Sequence, residues 1–335
     1  MDKLNHIIGC LMGGACGDAL GYSVEFDKIK KIKKIYGAQG ITDFELTNGR
    51  ALVSDDTQMT LFTAAGILMA KEKKVEYSTG IWNAYKDWYY TQTKNNEYHP
   101  FTELYNIDSL HNRRAPGNTC ISVLKIFPNK RTIEKPANLS KGCGGIMRVA
   151  PVGCIELGST NYANGWLGAE TAALTHGHPL GYIPAGFLAD LVHRIIICEE
   201  DKTIEHLIMD SLNETVTAFE NCRSVKYFES IIKKAIELSK TKQDDLSGIA
   251  RLGEGWVAEE TAAIAIYSCL RYPDDLKKAI ICAVNHNGDS DSTGSVTGNI
   301  LGAYLGDGAV ESAFDVKLLD QYGTILQIAD QLAHL

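Results

Sequence analysis

The sequence predicts an all-α protein, and three observations support this fold class. Eleven segments carry apolar residues at the three- and four-residue spacing typical of helices. Alternating patterns typical of strands are nearly absent, and prolines and glycines fall between the periodic segments or near their starts. No internal repeat or low-complexity linker divides the chain. We therefore expect one helical domain over residues 1–335, for which 45% hydrophobic residues provide an ample core.

The predicted helices follow one another along the chain, each identified by its apolar periodicity. In the first half, Ser54 precedes two aspartates and an apolar run, a pattern typical of a helix N-cap. In the second half, Pro179 and Pro273 lie near segment starts, and Gly253–Gly255 marks a break. The predicted segments cover residues 4–20, 56–71, 78–92, 161–174, 181–199, 203–221, 225–240, 256–270, 274–286, 293–305 and 318–333.

Two short acidic clusters, residues 54–57 and 289–293, interleave aspartates with hydroxyl side chains. Such oxygens suit a hard cation such as Mg²⁺ or Mn²⁺, and four carboxylates exceed what one such ion usually takes. A pair of ions about 4 Å apart is therefore the economical interpretation. The alternative is that each cluster only caps a helix. Taken singly, each cluster favours capping, because caps are far commoner than metal sites.

The longest stretch without clear periodicity covers residues 93–144 and contains the glycine-bearing segments 112–119 and 141–145. A loop of this length inside a compact domain is more often functional than idle. Because the acidic clusters begin helices and the glycine-bearing segments are loops, both can line one cleft at a common end of a helix bundle.

Charge and cysteine content exclude several classes of protein. A formal net charge of -8 and a pI near 5.6 argue against nucleic acid as the main partner. Lysines cluster only in residues 28–34, which fits a solvated edge or a local anion-attracting patch.

Nine cysteines without a Cys-x-x-Cys pair argue against a disulfide scaffold or a zinc site. Residues 7–17 are too glycine-rich for a signal peptide, and no apolar run approaches a membrane span, so we expect a cytoplasmic monomer.

Seven stretches, occurring in the family order between about residues 7 and 306, resemble the ADP-ribosylglycohydrolase family. This family includes the dinitrogenase reductase-activating glycohydrolases and the ADP-ribosylarginine hydrolases. The matching stretches are 13–21 (GGACGDALG), 53–57 (VSDDT), 114–119 (RAPGNT), 144–151 (GGIMRVAP), 175–179 (THGHP), 254–260 (EGWVAEE) and 288–292 (GDSDS).

The resemblance implies a single-domain orthogonal helix bundle that holds two divalent metals, usually Mg²⁺, with Mn²⁺ as the alternative. Ser54 and Ser292 stand where many members carry threonine, and the hydroxyl oxygen is retained. The implied metal ligands are Ser54, Asp55, Asp56, Asp289, Asp291 and Ser292.

Cleavage at the distal ribose needs an activated water and stabilisation of an oxocarbenium-like transition state, both of which two metals can supply. The resemblance also makes Glu25 a candidate catalytic residue, because in some relatives a glutamate after the first helix closes over the site or acts as a base. Its alternative is an exposed glutamate ahead of the lysine-rich segment. The predicted catalytic residues are Asp55, Asp56, Asp289, Asp291 and Glu25.

Diphosphate binding needs backbone N–H groups and small residues that allow close approach. Two glycine-rich stretches meet this need, and relatives wrap the second around ADP-ribose; tight turns are the alternative for both. His176 is expected to contact substrate or brace the site, because imidazole is a poor ligand for a hard ion. The predicted substrate-binding residues are Gly117, Asn118, Thr119, Ser140, Lys141, Gly142, Cys143, Gly144 and His176.

Three further residues have two interpretations each. Asp18 is expected to cap or brace a neighbouring helix. Arg148 lies at the start of a helix that we expect to be buried, where an unpaired guanidinium is costly, so we expect it to pair with an acidic residue or touch substrate. Trp256 either packs in the core or stacks on adenine.

The resulting hypothesis is a Mg²⁺-dependent hydrolase that releases ADP-ribose from a modified protein side chain, with arginine favoured. Residues 48–56 and 175–179 resemble the arginine-specific branch of the family. The expected partners are an ADP-ribosylated protein and ADP-ribose. Three alternatives stay open: hydrolysis of serine-, nucleic-acid- or small-molecule-linked ADP-ribose, a catalytically silent ADP-ribose-binding protein, and a two-metal phosphatase or pyrophosphohydrolase. Retention of all four aspartates argues against the silent protein.

Overall fold

The computed structural model describes residues 3–93, 98–158, 160–200 and 202–335, and the all-α prediction is confirmed. Two-residue strands β1 (Leu46–Thr47) and β2 (Arg50–Ala51) form an antiparallel hairpin. The α-helices of the described residues are α1 (Lys3–Tyr22), α2 (Ile29–Tyr36), α3 (Asp55–Lys73), α4 (Tyr77–Thr93), α5 (Asn118–Ile126), α6 (Ala150–Gly153), α7 (Ala163–Ala173), α8 (Pro179–Ile197), α9 (Ile204–Ala218), α10 (Ser224–Ser239), α11 (Asp245–Ala250), α12 (Ala258–Arg271), α13 (Leu276–Val284), α14 (Ser290–Leu305), α15 (Asp307–Ala313) and α16 (Tyr322–Ala333). Short 3₁₀ turns cover Glu103–Asn106, Asp108–His111, Cys143–Gly145 and Val316–Leu318.

All eleven predicted segments contain a helix, whereas α2, α5, α6, α11 and α15 are not among those periodic segments. The missed helices are short, from 4 residues in α6 to 9 in α5, so each offers too few turns for its periodicity to stand out. α5 lies inside the stretch 93–144, which was interpreted as loop. Residues 94–97 of that stretch lie outside the described residues.

The lysine-rich segment forms α2, and it is a solvated edge of the protein. Only Ile32 of this helix is buried, while the lysines at positions 28 to 34 are exposed. Lys28 donates to the main-chain oxygen of Asn287 at 2.6 Å, which attaches the start of α2 to the segment before α14.

Helices α1 and α14 pack through glycines at four-residue spacing, which lie on one face of each helix. A Cβ atom built on Gly13 would lie 2.5 Å from the main-chain oxygen of Gly298, and one built on Gly294 would lie 2.5 Å from that of Gly17. Only glycine permits this approach of two backbones. The contact sets the end of α1 beside the start of α14, where the second acidic cluster begins.

Asp18, near the end of α1, braces the start of α3. Its buried carboxylate accepts the N–H of Ser54 at 2.9 Å and the N–H of Thr57 at 3.0 Å, and it also accepts the Thr57 hydroxyl. Buried Arg114 holds the same region from the other side. Its Nη1 donates to the main-chain oxygen of Val53 at 2.9 Å and pairs with Asp320 at 2.7 Å.

One helix of the described residues, α8, is long and apolar enough to cross a membrane by length and composition. The expectation that no apolar run approaches that length was therefore wrong for residues 179–197. In the structure 83% of this window is buried within the protein, as in a core helix. Pro184 lies inside α8, a few residues after its start at Pro179.

Candidate active site

Residues from distant parts of the chain line one cleft of about 650 Å³. One end of its lining is acidic and carries all five predicted catalytic residues, and the remainder carries the glycine-rich stretches. The predicted site residues in the lining are Glu25, Asp55, Asp56, Gly117, Asn118, Thr119, Gly142, Cys143, Gly144, His176, Asp289, Asp291 and Ser292.

The first acidic cluster is both a helix start and part of the cleft. Ser54 is the N-cap of α3, and its Oγ accepts the N–H of Asp56 at 3.1 Å. Asp55 and Asp56 occupy the first turn and line the cleft, whereas Ser54 is fully buried behind them. The capping and site interpretations are thus compatible, because the cap is what points the two carboxylates into the cleft.

The second cluster repeats this arrangement at the start of α14. Asp289 is the N-cap, and its carboxylate accepts the N–H of Ser292 at 3.3 Å. The N–H of Asp289 itself donates to the main-chain oxygen of Glu254 at 2.8 Å, which ties the cluster to the segment before α12. Asp289, Asp291 and Ser292 all line the cleft.

Glu25 reaches the same acidic end from the segment after α1. Carboxylate oxygens of Glu25, Asp289 and Asp291 lie within 4.8 Å of one another, and all three residues are buried. The alternative of an exposed glutamate was wrong, since only 8% of Glu25 is exposed. The position follows from the close packing of α1 on α14.

Burial and mutual repulsion raise the pKa values of the clustered carboxyl groups. Burial, then the negative charges of Asp291 and Asp289, raise the pKa of Glu25 to about 10. Burial, then the charge of Asp291, also raises the pKa of Asp56 well above its usual range. Burial, then Asp291, raises the pKa of Asp18 to about 7. A cluster of this kind is ionised at neutral pH only if positive charge is supplied.

Two oxygens of the cluster show where a cation fits. Asp56 Oδ2 and Glu25 Oε2 are buried and have no hydrogen-bond partner within the described residues. Buried polar atoms are normally paired, and a charge is costly to bury without compensation. These free oxygens, together with an all-oxygen donor set, match the preference of a divalent hard cation.

The glycine-rich stretches enter the cleft differently from what we expected. The N–H of Gly117 donates to Asp55 Oδ2 at 3.0 Å, the N–H of Gly142 donates to Ser140 Oγ at 3.3 Å, and the N–H of Cys143 donates to the main-chain oxygen of Trp256 at 3.2 Å. These three N–H groups are therefore engaged by the protein itself. Their first role is to position Asp55 and to join the 142–144 turn to the segment before α12.

Two predicted substrate-binding residues, Ser140 and Lys141, are not in the lining of the cleft. Ser140 supports the turn by accepting the Gly142 N–H, and Lys141 pairs with the buried carboxylate of Glu259. Sequence alone could not separate residues that shape this turn from residues that face the cleft, since the two groups are directly adjacent, 140–141 outside the lining and 142–144 within it.

His176 lies beneath the glycine turn. A Cβ atom on Gly144 would lie 3.1 Å from its Cε1 atom, so the turn and the ring are packed closely. Burial, together with the positive charge of Arg148, lowers the pKa of His176 to about 3, which keeps the imidazole neutral at physiological pH. Its Nδ1 is 2.8 Å from Thr175 Oγ1.

Arg148 is fully buried, and the expected acidic partner is absent from its hydrogen bonds in the described part of the chain. Its guanidinium instead donates to Thr175 Oγ1 at 2.6 Å and to Cys120 Sγ at 3.1 Å, and it lies 4.3 Å from the centre of the Tyr85 ring. Neutral groups and a ring face therefore solvate the cation. The expectation of an ion pair was therefore wrong. The neutral partners come from three separate helices or loops, and nothing in the sequence indicated that they meet around Arg148.

Several lining residues were not predicted as site residues. Phe26, Arg113, Cys120 and Met147 all contribute to the cleft. Their positions beside Glu25, the 114–119 stretch and the 144–151 stretch were the available signal. Trp256 also lines the cleft and is 39% exposed, so the core-packing interpretation was wrong for this residue.

A family model described as ADP-ribosylglycohydrolase matches residues 1–335. The helical fold and the acidic cleft give this match a clear structural basis. The chain belongs to the ADP-ribosylglycohydrolase family. Membership supports an ADP-ribosyl hydrolase activity.

Individual relatives agree with this membership. The chain is 26% identical to the ADP-ribosylhydrolase ARH3 of Mus musculus, with 91% of this chain and 85% of the relative covered. It is 24% identical to the ADP-ribosyl-[dinitrogen reductase] glycohydrolase of Rhodospirillum rubrum, with 94% and 90% covered. A solved structure described as an ADP-ribosylglycohydrolase-related protein complex has the same fold, with a TM-score of 0.58 at 20% identity over 99% of this chain and 98% of that chain.

Proposed function

We propose that this protein is a divalent-metal-dependent hydrolase that removes ADP-ribose from a modified arginine side chain of a protein. The observation that carries the proposal is the meeting of Asp55, Asp56, Asp289, Asp291 and Glu25 at one end of a single cleft. A structural role alone gives no reason to bury so many carboxylates together, because each pays a desolvation cost.

Two Mg²⁺ ions, or Mn²⁺, are the proposed cofactors, held by the four aspartates with Ser292 at the edge. When bound, such ions lower the pKa of a coordinated water and hold vicinal ribose hydroxyls in a fixed pose. Asp18 and Ser54 act one step back, since they fix the first turn of α3 from which Asp55 and Asp56 project. The Gly117 N–H fixes Asp55 directly.

Glu25 is the proposed acid and base of the reaction. Its Oε2 has no partner within the described residues, and its carboxylate lies within 4.8 Å of those of Asp289 and Asp291. A carboxylate placed there can accept a proton from the attacking water and return it to the leaving nitrogen. A general base must lie within hydrogen-bond reach of the water that it deprotonates, and Glu25 lies at the acidic end where that water would bind.

The start of α5 is the proposed diphosphate site. Asn118 and Thr119 line the cleft, and their N–H groups belong to the first turn of a helix and donate no hydrogen bond within the described residues. Free N–H groups and the helix dipole both favour an anion at this position. The turn at 142–144 and neutral His176 then provide a close-packed wall on which the rest of ADP-ribose lies.

Arginine is proposed as the linkage on two grounds. The 175–179 stretch resembles the arginine-specific branch, and the Rhodospirillum rubrum relative is named for its action on ADP-ribosyl-dinitrogen reductase. The other stretch with this resemblance is residues 48–56, and the position of its arginine gives the assignment no support. Arg50 lies in the β1–β2 hairpin, where its side chain donates to the main-chain oxygen of Lys317, and it is outside the cleft lining.

The test is incubation with arginine-ADP-ribosylated protein and Mg²⁺, with both the released nucleotide and the residual modification measured. Release of free ADP-ribose with restored arginine is the expected result. AMP as the product would indicate a pyrophosphohydrolase, and ADP-ribose released only from a serine-, nucleic-acid- or small-molecule-linked substrate would replace the arginine assignment. Tight ADP-ribose binding without turnover on any of these substrates would indicate a binding protein.

A further inference from the structure

Two exposed aromatic side chains meet at the mouth of the cleft. The rings of Phe26 and Trp256 are nearly parallel, at an angle of 20° with centroids 6.3 Å apart. Phe26 is 74% exposed and Trp256 is 39% exposed, and both line the cleft. Leaving two large apolar rings in water at a cleft mouth forgoes the free energy of burying them, which points to a ligand that covers them.

The pair lies at the acidic end of the cleft. Phe26 directly follows Glu25 in the chain, and Trp256 belongs to the segment whose Glu254 oxygen accepts the N–H of Asp289. The proposed diphosphate site at Asn118 is a separate part of the lining, on α5. Because Glu25 is the proposed acid and base for the leaving nitrogen, the neighbouring Phe26 lies on the side of the cleft that takes the group on the anomeric carbon. Trp256, whose main-chain oxygen accepts the N–H of Cys143 at 3.2 Å, reaches the same place through its ring contact with Phe26.

Charge distinguishes the groups that could cover these rings. Carboxylates are neighbours of both rings in the chain, because Glu25 precedes Phe26 and Glu254 comes two residues before Trp256. Glu254 is paired with Lys28 at 3.4 Å, so the negative charge available to a cation at this end comes from Glu25 and the aspartates of the cluster. Aromatic faces attract cations lying within about 6 Å of the ring centre, and carboxylates add to that attraction. A guanidinium is planar, weakly hydrated and cationic, so it matches both the ring faces and the charge. A serine side chain offers neither property, and a nucleobase offers planarity without the positive charge.

We propose that Phe26 and Trp256 form an aromatic platform that recognises the guanidinium of the ADP-ribosylated arginine and sets the linkage specificity of the enzyme. The inference rests on the proposed function, because it assigns the leaving-group side of the same cleft. The platform binds the delocalised cation by its faces, while Glu25 stays free to exchange the proton. After cleavage the same contact holds the restored arginine until it leaves.

The experiment compares Phe26→Leu and Trp256→Leu with the wild-type protein on matched peptides that carry ADP-ribose on arginine or on serine. We expect kcat/KM for the arginine peptide to fall about tenfold in each variant, the loss of one cation–π contact, with any serine-linked turnover unchanged. Phe26→Tyr and Trp256→Phe keep an aromatic face and are expected to keep the arginine preference. Trp166→Leu is the matched control, since Trp166 is 41% exposed and packs on Phe219 outside the cleft.

A binding measurement separates specificity from damage to the site. Free ADP-ribose has no leaving group, so its affinity by calorimetry is expected to be the same in the wild type and both leucine variants. Inhibition by agmatine in the presence of ADP-ribose is expected to weaken about tenfold in the same variants.

The possible failures are distinguishable. If the wild type hydrolyses the arginine peptide and both leucine variants retain its arginine-to-serine ratio, the platform is overturned while the proposed function stands. If the wild type hydrolyses neither peptide, the proposed function fails first. If it hydrolyses only the serine peptide, both the arginine linkage and the platform are overturned.

Discussion

Individual aspartates in this protein both start helices and line the cleft, and the structure shows why these two positions coincide. A carboxylate in the first turn of a helix is stabilised by the helix dipole, and the cap fixes its direction. Asp55 and Asp56 on α3, and Asp289 and Asp291 at the start of α14, use this local preference to meet across the cleft. The commonest local interpretation of each cluster was thus correct and at the same time incomplete.

The four aspartates are expected to act as one unit. Asp55→Asn and Asp289→Asn should each reduce turnover by roughly 10³-fold or more, because either change would disrupt the proposed pair of ions. The double variant should be little worse than either single one, since the site is already lost. Steady-state kinetics with arginine-ADP-ribosylated protein measures this, with Asp210→Asn, a half-buried carboxylate outside the cleft lining, as the control. Losses that multiply in the double variant would show that the two clusters act independently.

Gly117 is the residue at which steric access to the cleft can be tested. Its φ of -57° suits any residue, and an added Cβ would meet only Asp55 Oδ2 at 3.8 Å and Cys120 Sγ at 3.9 Å. Gly117→Val should therefore fold, yet project methyl groups into the cleft and weaken ADP-ribose binding about tenfold or more, equivalent to about 1.4 kcal/mol.

Calorimetry with ADP-ribose and Mg²⁺ measures the effect of Gly117→Val. Gly323→Val is the control, because Gly323 lies in α16 with no neighbouring atom within 4 Å of an added Cβ. Unaltered ADP-ribose affinity in a folded Gly117→Val protein would remove this stretch from the substrate site.

At the level of elements, the α1–α14 pair determines the geometry of the acidic end. The glycine faces allow the two backbones to approach, and this approach places Glu25 beside Asp289 and Asp291. A side chain at the interface would separate the helices and with them the carboxylates. The interface therefore links the stability of the fold to the shape of the site.

Gly13→Ala tests this link. The added Cβ would lie 2.5 Å from the Gly298 oxygen, a main-chain atom that cannot move without shifting α14, so we expect a loss of about 3 kcal/mol in the free energy of unfolding. Chemical denaturation measures it. Gly308→Ala in α15, where an added Cβ meets nothing within 4 Å, should be neutral or stabilising by up to about 1 kcal/mol. Equal effects of the two changes would contradict the close-packed interface.

At the scale of the whole molecule, the buried carboxylates are expected to make stability depend on the proposed metal ions. An ion that binds only the folded state adds about 2.7 kcal/mol at a concentration 100-fold above its Kd. Mg²⁺ or Mn²⁺ should therefore raise Tm by several degrees, and Asp291→Ala should remove the rise. Asp330→Ala, which changes an exposed carboxylate on α16, should leave the rise intact. An unchanged Tm at millimolar metal would contradict a preformed site.

Local sequence determined much of this protein. Long helices such as α3, α8 and α14 were predictable, because several turns of apolar residues reveal a period. Both acidic clusters were recognisable, because two helix starts that together carry four aspartates and several hydroxyls exceed what capping requires. The resemblance of seven ordered stretches predicted the family, which the match over residues 1–335 confirms.

Only the tertiary structure decided which of these residues meet. The contact of α1 with α14 joins positions nearly 300 residues apart, and glycines carry no chemical signal that identifies their partner. Lys141 faces away from the cleft and Cys120 faces it because the direction of each side chain depends on packing between elements. Phe26 and Trp256 become a pair in the same way, since a contact between two loops has no period in the sequence from which it can be predicted.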